Sequence, residues 1–73
     1  MSDATLAHAH RCLEALTAAT DDRQAWRSWR SLERAWDDVD PAGRVMLKAA
    51  ARLALPDAPD GRRRLAVVEK LPD

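Results

Sequence analysis

The sequence predicts an all-α fold: a compact bundle of three main helices, over about 3–19, 22–38 and 41–54, with a short C-terminal helix over about 60–71. Three observations predict it. Ala, Leu and Arg dominate, all strong helix formers, while Val is sparse and Ile, Tyr and Phe are absent. Apolar residues recur at three- and four-residue spacing through most of the chain. Helix-start chemistry stands where each periodic stretch begins.

Each element has its own signals. Ser2 and Asp3 are good N-caps, and Leu6, Ala9, Leu13 and Leu16 then recur on one face, with Cys12 at its edge. Asp21 followed by Gln24 has the form of a capping box and starts the second helix. Its apolar stripe is Ala25, Trp29, Leu32, Trp36 and Val39, with Trp26 at the border. Asp40-Pro41 starts the third helix, since Asp suits the N-cap and proline the first helical position. Met46, Ala49, Ala50 and Leu53, flanked by Val45 and Leu47, are expected to form its core face. The stretch Pro56 to Pro59 reads as a linker, and Leu65, Val68 and Leu71 mark the last helix. Pro41-x-Gly43-Arg44 echoes Pro59-x-Gly61-Arg62, either as shared helix-start chemistry or as a duplication.

At 73 residues the chain makes one domain, with a core but no spare volume for a deep enclosed pocket. One cysteine cannot form an internal disulfide, which points to a reducing cytoplasm. Met1-Ser2-Asp3 lacks the basic start of a signal peptide. The most apolar stretch, Val45 to Leu55, is too short and too charged to span a bilayer. The Arg-to-Lys ratio of ten to two points to a GC-rich bacterial or phage genome.

Net charge is zero, but the charges are segregated. Arg23, Arg27, Arg30 and Arg34 share one stripe of the second helix, opposite its apolar face. Arg44, Lys48 and Arg52 form a second stripe on the third helix, and Arg62, Arg63 and Arg64 open the last. The acids gather at helix ends and turns. Carboxylates suit helix N-termini, but Asp37 and Asp38 close the second helix at its negative pole, where an Arg34–Asp38 pair is expected to offset them.

No reaction chemistry is legible. His8, His10 and Cys12 resemble a metal string, but on a helix His10 points away from the other two, and no fourth ligand completes a zinc set. Gly43 and Gly61 stand alone, so there is no phosphate-cradling loop. The expectation is therefore no enzyme, no cofactor and no metal. The leading expectation is a non-catalytic protein-interaction module, an adaptor, inhibitor or small regulatory subunit. Trp26, Arg23, Arg27, Arg30 and Arg34 are its candidate contact residues, because Trp and Arg are enriched at binding hot spots. The alternative is a nucleic-acid-binding regulator using Arg44, Lys48, Arg52, Arg62, Arg63 and Arg64. A pI near 6.7 and a third helix poor in base-reading side chains weigh against it. Self-association into a homo-oligomer is a third expectation.

Overall fold

A computed structural model describes residues 3–73. Four α-helices follow in order: α1 Asp3–Ala18, α2 Asp22–Trp36, α3 Pro41–Ala54 and α4 Gly61–Glu69, with a single 3-10 turn, Leu55–Asp57, after α3. The all-α bundle and its three long helices stand as the sequence predicts, with each boundary shifted by no more than two residues. Asp3 is the first residue of α1, and the cap expected of Ser2 or of the Asp3 side chain lies outside what the structure describes.

The internal starts follow the expected chemistry. Asp21 is extended and its Oδ1 accepts from the Gln24 N–H at 2.8 Å, while Gln24 Oε1 accepts from the Thr20 N–H at 3.2 Å. Asp40 caps α3 in the same way, accepting from the Gly43 N–H at 2.7 Å, with Pro41 as the first helical residue. α4 begins differently. Asp60 is left-handed, φ 54°, and its side chain caps nothing. Gly61 is the first residue of α4, whereas Pro41 is the first of α3, so the two Pro-x-Gly-Arg strings sit in different helical registers.

The core lies where α1, α2 and α3 converge. Leu13 and Leu16 of α1, Leu32 and Trp36 of α2, Leu47 and Ala51 of α3, and Leu55, Val68 and Leu71 beyond them form one buried cluster, joined by Val39 from the α2–α3 corner. α1 and α2 make the most extensive helix pair. Trp36 is the largest fully buried side chain, and its indole N–H donates to the Pro72 carbonyl at 2.6 Å. Trp29 is half-buried against the cluster.

The expected core face of α3 is corrected. Val45, Met46 and Leu53 are 63%, 61% and 83% exposed, and Ala49 is exposed with them. The inward face is Gly43, Leu47, Lys48 and Ala51. α3 carries two apolar stripes, and the one chosen lines up beside cations that the bundle draws inside.

Candidate interaction surface

Some basic side chains are held by helix ends or acids, and others face water without an ion pair among the described residues. Three helix C-termini receive a cation from another part of the fold. Arg64 on α4 is buried, and its Nη1 donates to the carbonyls of Leu16 and Ala19 at 3.0 and 2.8 Å, at the end of α1. Lys48 on α3 is buried, and its Nζ donates to the Glu69 and Leu71 carbonyls at 3.2 and 2.6 Å, at and just past the end of α4. Arg44 reaches the Trp36 carbonyl at the end of α2 through Nε and Nη2, at 3.2 and 3.0 Å. α1 and α4 have no basic residue in their own last turns, so the free carbonyls and negative pole of each are met from outside.

This corrects the second basic stripe. Of the six residues assigned to a nucleic-acid face, Arg44, Lys48 and Arg64 are bonded to backbone carbonyls inside or at the edge of the fold. Arg52 pairs with Glu69 at 2.9 Å and Arg63 sits 3.6 Å from Asp60. Arg62 remains exposed, with no ion pair among the described residues. The six do not converge on a single open basic surface. Asp37 and Asp38 have Arg44 at their end of α2, and the expected Arg34–Asp38 ion pair does not form among the described residues.

The α2 stripe is different. Arg23, Arg27, Arg30 and Arg34 are all exposed. Their spacing of four, three and four residues keeps them within roughly 60° of arc at about 100° per residue. Arg23, Arg27 and Arg34 have no ion-pair partner among the described residues. Arg30 lies 3.7 Å from Glu33 and stacks its guanidinium 5.6 Å from the centre of the Trp26 ring. Trp26 is 59% exposed.

Behind Trp26 runs a shallow groove of about 240 Å³ between α2 and α4, floored by Trp29, Ala25 and Val67, with Asp22, Asp60 and Arg63 at its rim. The sequence places Trp26 at a border but cannot place α4 beside it. Val67 and Arg63 are therefore invisible as neighbours until the fold closes.

The remaining chemistry-bearing residues lie on α1. His8 Nε2 is 3.8 Å from the Cys12 sulfur, and His10 pairs instead with Glu14 at 2.8 Å. Burial pushes the Cys12 thiol up, with Arg11 opposing weakly, so the thiolate is disfavoured. Among the described residues no three His, Cys, Asp or Glu side chains gather as metal ligands, and no helix is long and apolar enough to cross a membrane. Comparison with protein-family models, curated proteins and solved structures found no match to this chain.

Proposed function

We propose that the chain is a non-catalytic protein-interaction module whose contact face is the outer surface of α2. One observation carries this reading: four arginines line up in the open beside an exposed tryptophan, three of them without an ion pair among the described residues, while Arg44, Lys48, Arg52 and Arg64 are bonded to helix ends or acids. Burying a partner against the Trp26 ring supplies apolar area, and Arg30, already stacked on that ring, is held ready for a carboxylate. The partner is an acidic protein surface with an apolar side chain for the Trp26–Trp29–Val67 groove.

The non-catalytic part of the reading is supported by the buried, proton-retaining Cys12 thiol and by the solvated positions of the acids in the turns, where little desolvates them. A reducing cytoplasm is the setting that suits one unpaired cysteine, and the arginine-rich composition favours a bacterial or phage source.

The test is affinity capture with the whole chain and with a Trp26→Ala, Arg30→Ala double variant. Both positions are exposed, so the variant is expected to fold as the parent does, checked by circular dichroism. It should lose acidic partners that the parent holds. A folded double variant that keeps every partner overturns the reading. Duplex DNA bound by the parent, released steeply by salt and lost in the arginine variants, replaces it with a nucleic-acid reading.

A further inference from the structure

We propose that the outer face of α3 is a homodimer interface, in which two copies of the chain pair α3 against α3, antiparallel, about a two-fold axis. The face is the one turned away from Gly43, Leu47 and Ala51. It carries Ala42, Val45, Met46, Ala49 and Leu53, all exposed, and no charged side chain interrupts it. Arg52 stands at its edge and is already occupied by Glu69. A shallow groove toward α1, lined by Leu6, Ala7 and Ala50 together with His10, Arg11 and Glu14, adjoins this face beside Met46.

The spacing is that of a helix-pairing seam. Ala42, Met46, Ala49 and Leu53 are separated by four, three and four residues, the a/d rhythm of coiled-coil contact. The seam also alternates in size: small, large, small, large. A two-fold axis passing between Met46 and Ala49 sets Leu53 of one copy over Ala42 of the other, and Met46 over Ala49. Each knob then meets a hole. A parallel pairing stacks Met46 on Met46 and leaves the alanine layers open. The complement that this face requires is its own sequence read in reverse, and a second copy of the chain carries it. Two-fold self-complementarity is the commonest symmetry of soluble oligomers, and zero net charge lets two copies meet without long-range repulsion.

Size sets the strength. α3 has 14 residues and spans about 21 Å at 1.5 Å per residue. The exposed apolar area of the face is on the order of a few hundred Å² per copy, so the pair buries at most about 1,000 Å², the lower end for a specific interface. The dimer is therefore expected to be concentration-dependent, dissociating in the micromolar to sub-millimolar range.

Sedimentation equilibrium of the whole chain from about 10 µM to about 1 mM reads this directly. The parent should pass from monomer toward dimer across that range. A Met46→Glu, Leu53→Glu variant changes only exposed positions and should keep its helicity, yet associate at least about 100-fold more weakly, because the carboxylates would be desolvated without partners. Geometry has its own readout. Positions 42 and 53 are eleven residues apart on one helix, about 16 Å, too far to bridge within a chain. The two-fold places them opposite each other, so an Ala42→Cys, Leu53→Cys variant should form a covalent dimer on mild oxidation, while either single variant should not. A parent that stays monomeric throughout, a dimer that survives the double glutamate, or a dimer whose paired cysteines fail to bridge overturns the proposal. The Trp26→Ala, Arg30→Ala variant should dimerise as the parent does, since α2 is not part of this face.

Discussion

At the scale of single residues, identical side chains do opposite things. Arg62 and Arg64 are two positions apart on α4, yet one faces water and the other is buried against the end of α1. Arg64 supplies donors for the carbonyls of Leu16 and Ala19, at the end of α1 where intrahelical partners run out. An Arg64→Met variant leaves these acceptors buried and unpaired and should lose about 2–4 kcal/mol. Arg62→Met should stay within about 0.5 kcal/mol of the parent. Urea unfolding of the two variants side by side checks the contrast. Gly61 is a second such position. A Cβ there would lie 1.8 Å from the Leu55 carbonyl oxygen, so the turn before α4 closes only on a hydrogen. Gly61→Ala should cost about 3 kcal/mol or more, since the obstacle is backbone and cannot rotate away. A thermal midpoint close to the parent's would show that the turn opens cheaply.

At the scale of elements, legibility follows locality. The starts of α2 and α3 were legible because the cap and its target are three residues apart: Asp21 with Gln24, Asp40 with Gly43. The α2 faces were legible because the helix separates a single apolar stripe from a single arginine stripe. This makes its tryptophans separable. Trp36→Ala opens a cavity in the middle of the core and should cost about 3–5 kcal/mol. Trp26→Ala removes an exposed ring and should cost less than about 1 kcal/mol, apart from its cation–π contact with Arg30. Chemical denaturation followed by circular dichroism distinguishes them. α3 was misread because its pattern is ambiguous from within. Val45, Met46, Ala49 and Leu53 look like a core stripe, whereas the true inner face mixes Gly43, Leu47 and Ala51 with Lys48, and Arg44 is half-buried. Cations read as solvated unless their acceptors are known, and the acceptors here lie on α2 and beyond α4, up to 29 residues away in sequence. The same distance hid the groove behind Trp26, whose far wall is α4.

At the scale of the whole molecule, the C-terminal stretch is the strap that closes the bundle. Trp36 of α2 donates to Pro72, Arg44 of α3 to the backbone oxygen of Asp73, and Lys48 of α3 to Leu71 and to the Asp73 carboxylate at 2.8 Å. Lys48 is the hinge-pin of this arrangement, because one buried ammonium answers three acceptors, the carbonyl of Glu69 at the end of α4 and two groups from the stretch after it. Lys48→Met should therefore cost about 2–3 kcal/mol, lowering the thermal midpoint by roughly 4–8 °C for each kcal/mol in a domain of this size. The strap also carries a pH signature. The Lys48 hydrogen bond and charge hold the Asp73 carboxyl below its ordinary value of 3.8. Unfolded, the group takes up its proton near that ordinary value; folded, it resists. The contribution is thus complete above about pH 5 and is lost as pH falls through 3.8 toward the folded value, the window in which the unfolded chain binds more protons. Because this carboxylate is exposed, solvent screening keeps the effect small, and its shape with pH is the diagnostic quantity. Asp73→Asn should flatten the fall in thermal midpoint between about pH 5 and pH 2. In a Lys48→Met background the same substitution should flatten the fall much less, since the shift has lost its largest cause and keeps only the weaker pull of Arg52 and Arg44. Equal flattening in both backgrounds would show that Lys48 is not what holds the Asp73 carboxyl low, and no flattening in either would show that the acid response arises elsewhere.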